Sequence, residues 1–222
     1  MHNTGRRRRC SKSWRKRARG FIRNQLPPLD HVAFRPARRD ESRTIAALYR
    51  ISSDGVADYI WTGLAAPGED ILDVGARRYA REGTDFSYQN VTVATLGDEI
   101  VGMIAAYAMG PAEQPGAEFD FDVDPVLRPF QILEQPNSYY VSGVAVFPEY
   151  RGGGIGVRFM QRAFDAARAR GLPRVSLIVF EQNAGAKRLY DRLGFREAMR
   201  ERVVPHPLIH YTGAALLLIK DA

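Results

Sequence analysis

The stretch Tyr139-Tyr140-Val141-Ser142-Gly143-Val144-Ala145-Val146-Phe147-Pro148-Glu149-Tyr150-Arg151-Gly152-Gly153-Gly154-Ile155-Gly156 passes from an apolar, β-branched segment through a proline and three glycines into a helical pattern. Residues 139–147 read as a strand. Residues 156–170 read as an amphipathic helix, with Phe159, Met160, Ala163, Phe164 and Ala167 on one face and Arg158, Gln161, Arg162, Asp165 and Arg168 on the other. Gly171 stops that helix where glycine is favoured, just past the C-terminus. A glycine-rich turn between a buried strand and a helix start exposes several backbone N–H groups at the positive end of the helix dipole. That is an anion site suited to a pyrophosphate. Glycine there lets backbone and phosphate approach with no Cβ between them.

Two common phosphate motifs are excluded. No Gly-Lys-Ser/Thr triplet occurs in the chain, so there is no P-loop. A G-x-G-x-x-G fingerprint fails in both frames, because its third glycine would fall on Val157 or Phe159. What remains is Arg151-x-x-Gly154-x-Gly156, for which a plain tight strand–helix turn is the alternative reading.

Downstream, residues 175–180 form a near-continuous apolar run, as in a strand buried on both faces. Residues 184–193 follow as a helix with Ala186, Leu189, Tyr190 and Leu193 inward, ended by Gly194. Two more strands are expected near 197–204 and 211–219. Upstream, a strand at 32–36 precedes a helix carrying Ile45, Leu48 and Tyr49, which ends at Asp54-Gly55. Short helices are expected around 56–61 and 71–81. Two β-rich runs, 91–96 and 100–109, flank Gly97-Asp98 as a hairpin. Residues 110–137 break the pattern with five prolines, six acids (Glu113, Glu118, Asp120, Asp122, Asp124, Glu134) and one base, Arg128. They read as a long loop or insertion with one helical turn near 127–133.

The turn motif, together with Val144-Ala145-Val146-Phe147-Pro148-Glu149-Tyr150-Arg151-Gly152 and Asn183-Ala184-Gly185-Ala186-Lys187-Arg188-Leu189-Tyr190-Asp191-Arg192-Leu193-Gly194-Phe195, resembles the GCN5-related N-acetyltransferases, the GNAT superfamily. Two blocks in the family's order and spacing are more specific than either alone, and they cover residues 138–196 most fully. The resemblance implies an α/β acyl-CoA N-acyltransferase fold: a mixed central sheet of six to seven strands, splayed at the cofactor site, with helices on both faces. It implies acetyl-CoA as co-substrate and no metal. Backbone groups of Val144, Ala145 and Val146 would pair with the pantetheine arm, in a slot opened where the central strand parts from 175–180. Amides of Arg151, Gly152, Gly153, Gly154, Ile155 and Gly156 would hold the pyrophosphate, and Asn183 would contact the arm. Tyr190 would be the general acid, since a phenol with pKa about 10 carries its proton at neutral pH. By residue pattern alone, Tyr190 reads as a core aromatic on an amphipathic helix, and Asn183 can equally be a helix N-cap, a role compatible with contacting the arm.

The amine would attack the thioester directly, in a ternary complex. No carboxylate lies on the central strand, so Glu134, Asp98, Asp54 and Asp58 are all candidates to take its proton. His31, His206 and His210 have no metal-ligand spacing. Residues 52–61, 86–90 and the acidic run 113–134 would shape the acceptor site. Six acids against one base favour a cationic amine, and neutralising Asp120, Asp122 and Asp124 should then raise the acceptor KM.

Of 222 residues, 32 are Lys or Arg and 25 are Asp or Glu, for a net charge of +7. Ten of the bases lie in residues 1–23, among no acids, so the rest of the chain is mildly acidic. We expect residues 1–24 to be a basic, disordered tail and 25–222 the catalytic domain. The tail reads as a solvated extension, a start site set too far upstream, a targeting segment or an anchor for nucleic acid. A macromolecular acceptor, or a module that binds CoA or nucleic acid without turnover, are the rival functions. No apolar run approaches the roughly 20 residues that span a bilayer. The single cysteine, Cys10, excludes a disulfide or Cys-built zinc site within a monomer and suits a reducing cytoplasm. A monomer and a homodimer both fit.

Overall fold

Seven strands form one sheet in the computed structural model, which describes residues 31–111 and 124–222. They are β1 (Val32–Pro36), β2 (Val91–Leu96), β3 (Glu99–Met109), β4 (Ser138–Val146), β5 (Arg174–Phe180), β6 (Arg196–Arg202) and β7 (Ala214–Asp221). The order is β1-β2-β3-β4-β5-β7-β6. Every neighbouring pair is antiparallel except β4–β5. This is the mixed, mostly antiparallel α/β fold expected from the resemblance.

Apolar stripes on the helices decide which face each one covers. On one face, α5 (Ile155–Ala169) buries Phe159, Met160, Ala163, Phe164 and Ala167 against Ile104, Val141, Leu177 and Leu216, and α6 (Ala184–Arg192) adds Tyr190. On the other face, α1 (Ser42–Ser52), α2 (Val56–Leu64) and α3 (Ile71–Tyr79) cover β1–β4 through Ile45, Leu48, Trp61, Val74 and Tyr79. The short α4 (Arg128–Ile132) and the β6–β7 connection cover the β5–β7 arm of that same face, around Leu133, Phe180, Ile209 and Leu217. Two separate cores under one sheet face leave a gap between them. No helix of the described residues is long and apolar enough to cross a membrane.

One irregularity positions the site. The β3–β4 register runs Ala105↔Gly143 and then Ala106↔Val141, so Ser142 is an extra residue on β4. Such a bulge bends its strand and reverses which side chains face which side. Val141 packs with the α5 core, whereas Ala145, which regular alternation would put beside it, packs with the α1–α3 core. The Ser142 hydroxyl donates to the Ala105 carbonyl across the bulge, at 3.2 Å. At the other end of β4, the buried hydroxyls of Ser138 and Ser176 share a 2.6 Å hydrogen bond that joins β4 to β5.

The last strand starts later than the sequence suggested, at Ala214 rather than 211. The amides ahead of it have other acceptors: His210 N donates to the Asp54 carbonyl at 2.9 Å, and Thr212 N to the Gln182 side chain at 3.1 Å. The basic segment 1–24 and the acids Glu113, Glu118, Asp120 and Asp122 lie outside the described residues.

Candidate active site

β4 and β5 pair only at Tyr139↔Val175, Tyr140↔Ser176 and Val141↔Leu177. The bulge begins at the next residue, and the strands part. β5 stays paired to β7 as far as Phe180, so Val144, Ala145 and Val146 face Ile178, Val179 and Phe180 across an open slot. These six line a cleft of about 1590 Å³.

At one end of the cleft a short 3-10 turn (Pro148–Tyr150) leads into the glycine bend. Gly152 and Gly154 take left-handed φ values of 86° and 77°, which side chains with a Cβ rarely adopt. The first helical amide to bond back is Arg158 N, to Gly154 O at 3.2 Å, so the amides of Ile155, Gly156 and Val157 open α5 as its exposed first turn. Arg151, Gly152, Gly154, Ile155 and Gly156 line the cleft; Gly153 lies in the bend but off its wall. The Arg151 amide makes a long bond of 3.4 Å to Pro148 O, and its Nε holds the Val146 carbonyl at 2.9 Å, which fixes the end of β4.

Asn183 caps α6, its Oδ1 accepting from Ala186 N at 3.1 Å, while its Nδ2 donates to Asp54 Oδ2 at 2.8 Å. One acceptor and one donor position of the amide remain. Tyr190 is 8% exposed, lines the cleft and packs edge-on to Phe195 at 5.7 Å. Burial, and then the Asp54 carboxylate, push its phenol up to about 12.

Asp54 sits on the opposite wall, in the turn between α1 and α2. Its φ of 50° and the 97° of Gly55 make a left-handed pair. Gly55 is obligatory there, since a Cβ would fall 1.9 Å from the Leu208 carbonyl oxygen. The β6–β7 connection therefore lies directly on this turn. Together with the Asn183 bond it forms a clasp across the mouth of the split sheet. Burial raises the Asp54 carboxyl, with the Asn183 hydrogen bond and His210 opposing the shift.

Beyond Tyr190 the cleft turns aromatic. Tyr49, Phe86, Tyr107 and Tyr140 line it, with Asp85 and Glu134. Ring centroids are 6.0 Å apart for Tyr49–Phe86, 6.1 Å for Phe86–Tyr107 and 5.6 Å for Tyr107–Tyr140.

Several sequence expectations need correcting. Of the candidate proton acceptors, Asp54 and Glu134 line the cleft. Asp58 is held in a bidentate pair by Arg50, and Asp98 lies in the hairpin turn away from the cleft. In the 52–61 segment, Ser52, Ser53, Asp54, Val56 and Ile60 reach the cleft, but Trp61 is buried against Gly75 and belongs to the core. Asp124 is a structural residue. Its carboxylate accepts from Tyr59 Oη at 2.9 Å and from Val126 N at 2.9 Å, and it does not line the cleft. His206 edge-packs on Tyr59, and among the described residues no His, Cys, Asp or Glu side chains gather as a metal site. Asp85, Tyr49, Tyr107 and Tyr140 were missed. They come from four separate elements, and the only signal for any of them was the tyrosine pair opening the quoted stretch.

The profile of the acetyltransferase (GNAT) family matches residues 66–195. An uncharacterized N-acetyltransferase of Methanocaldococcus jannaschii is 43% identical over 65 residues, 29% of this chain and 29% of its own. The mycothiol acetyltransferase of Beutenbergia cavernae is 46% identical over 56 residues, 25% of this chain and 18% of its own. The chain thus spans less than a third of the curated relatives it matches. Among solved structures, a mutant agmatine N-acetyltransferase superposes with a TM-score of 0.58 over 87% of this chain and 100% of its own. At 16% identity, that likeness is one of fold.

Proposed function

This chain belongs to the acetyltransferase (GNAT) family, and from that premise we propose that it is an acetyl-CoA-dependent N-acetyltransferase acting on a primary amine of a small molecule or peptide. The observation that carries this reading is the parting of β4 from β5 beside a glycine bend that opens a helix. The residues present fit the co-substrate. Glycines at 152, 153, 154 and 156 leave the backbone open where a pyrophosphate would meet the bend, and strand backbone unpaired on its β5 side lines the slot where an extended arm would lie.

In this reading the amides of Gly152, Gly153, Gly154, Ile155 and Gly156 hold the pyrophosphate, with Arg151 supporting the bend. Backbone groups of Val144, Ala145 and Val146 hold the pantetheine arm as a pseudo-strand, and the free half of the Asn183 amide meets the arm beyond β5. When bound, acetyl-CoA supplies a thioester whose C–S bond breaks as the amine N–C bond forms. An N–H of the unpaired part of β4 faces the carbonyl oxygen as negative charge develops there. Tyr190 delivers its phenolic proton to the departing sulfur, and burial keeps that proton in place at neutral pH. Asp54, the carboxylate whose field reaches Tyr190, takes the proton that the amine must lose. Direct attack of this kind needs no protein nucleophile.

The domain for this chemistry is residues 25–222, and a cytoplasmic setting is supported by the single cysteine. The ten bases of residues 1–23 support a rival in which the acceptor is macromolecular, with nucleic acid bound by the tail. Free-thiol release from acetyl-CoA, measured against a panel of amines, tests the activity. Amine-dependent release is expected, and no release with any amine would overturn the reading. Deleting residues 1–23 separates the acceptors, because small amines should be acetylated as before while a macromolecular acceptor would not.

A further inference from the structure

We propose that the aromatic end of the cleft is a subsite for a second positive charge on the acceptor, so that the preferred substrate is a flexible diamine rather than a monoamine. The inference rests on the acetyl-transfer reading and adds the class of acceptor to it.

The site is built from Asp85, Glu134, Tyr107, Tyr140 and Phe86. Asp85 arrives from the loop before β2 and Glu134 from the segment after α4, yet each raises the charge cost of a common neighbour, Tyr107, and Asp85 acts on Glu134 as well. Asp85, Glu134 and Tyr107 all line the same cleft. Neither carboxylate makes a side-chain hydrogen bond or ion pair among the described residues. Both are open to solvent through the cleft, but the surrounding walls desolvate them enough to raise both carboxyls. Tyr107 is a separate indication of a ligand. It is 8% exposed, it lines the cleft, and its hydroxyl has no hydrogen-bond partner among the described residues. That hydroxyl is therefore available to pair with a group in the cleft.

The rings supply the rest. Tyr107 and Tyr140 meet edge to face, as do Phe86 and Tyr107, giving a π-rich wall that attracts an alkylammonium. The positive groups nearby are Arg78, over the Phe86 ring at 5.8 Å, and Arg81, whose Nε donates to the Arg78 carbonyl. Across the cleft lining the charges are segregated. Arg151 lies in the glycine bend, and Arg192 lies one turn beyond Leu189, which abuts Gly156 at the start of α5. Asp54, Asp85 and Glu134 lie away from the bend, with Arg81 the only base among the described residues that lines that part. Tyr190 and Tyr140 line the same cleft, and Tyr140 packs on Tyr107. An amine reacting beside Tyr190 would therefore direct its far end along this wall to the carboxylates.

The experiment compares α,ω-diamines with straight-chain monoamines of equal length in the thiol-release assay, alongside calorimetric titration of the same diamines. Wild-type protein should favour the best diamine over its matched monoamine in kcat/KM by about tenfold or more. In the D85N/E134Q double variant this ratio should fall towards one, and calorimetric affinity for the diamine should fall about as much. Equal use of diamines and monoamines by wild type, or a preference that survives in the double variant, would overturn the subsite. If no amine is acetylated, the transfer reading fails. Calorimetry then decides the subsite by itself: carboxylate-dependent diamine binding supports it, and its absence removes it.

Discussion

Tyr190 combines two properties: a phenol held at about 12 by burial and by the Asp54 carboxylate, and a position on the cleft wall with no hydrogen bond to give up. Y190F should lower kcat by about a hundredfold or more, while thermal stability stays within about 0.5 kcal/mol because no internal bond is lost. In wild type the phenol should give no alkaline fall in kcat below about pH 11, as a group with so high a pKa remains a competent acid up to there. Asp54 makes the complementary prediction. D54N keeps the bond to Asn183 but removes the proton acceptor, so kcat/KM at pH 7 should fall about tenfold or more. The deficit should shrink as the pH approaches the amine's own pKa of about 10, where the ammonium is already deprotonated by solvent and hydroxide can take the remaining proton. A deficit constant with pH would assign Asp54 a structural role only. Tyr190 and Asn183 were visible in the sequence as inward-facing and capping residues, and their chemical roles came with the resemblance. Asp85, Tyr107 and Tyr140 were not visible, because their meeting is tertiary: each is unremarked in its own segment, and none lies near another pair member in a motif.

Most of the elements could be read from periodicity. The five-residue inward face of α5, the Gly97-Asp98 hairpin and the glycine stops after α5 and α6 are local features, and local features are what sequence patterns record. The bulge at Ser142 was not legible. The apolar residues of 141–146 are compatible with either face, and only pairing with β3 reveals the extra residue. Nor did the sequence show that Gly55 lies under the β6–β7 connection. Replacing it with alanine combines a left-handed φ with a backbone contact at 1.9 Å, and should cost about 2–4 kcal/mol. Thermal denaturation of G55A should show this as a large drop in Tm. A second element-level bond is the cluster around Glu41, which is 8% exposed and receives Arg35 at 2.6 and 2.9 Å and the Arg38 amide at 2.8 Å. This ties β1 to the start of α1. The Arg35 hydrogen bonds lower the Glu41 carboxyl in the folded protein, so its contribution is complete above the unfolded carboxylate pKa and disappears as pH falls through the lower, folded value. E41Q should cost about 2 kcal/mol at pH 7 and little in strong acid, as read from urea denaturation at the two pH values.

At the scale of the whole molecule, the sheet consists of two arms, β1–β4 and β5–β7–β6, with separate cores on one face. A co-substrate that lies between the arms contacts both, so its binding should stabilise them together. At a hundred times its Kd, acetyl-CoA should add about 2.7 kcal/mol, seen as a raised Tm and slower amide exchange in both β4 and β5. Protection confined to the glycine bend would mean that the arm does not enter the slot. The two arms meet through three residue pairs and the Ser138–Ser176 hydroxyl bond at the closed end. Mechanically this is a pair of tongs with a very short rivet. The rivet at one end and the Asp54–Asn183 clasp at the mouth together bound the free lengths of β4 and β5. Two small, buried hydroxyls therefore hold the hinge end of the jaws shut, at a distance from every group that would touch the reaction.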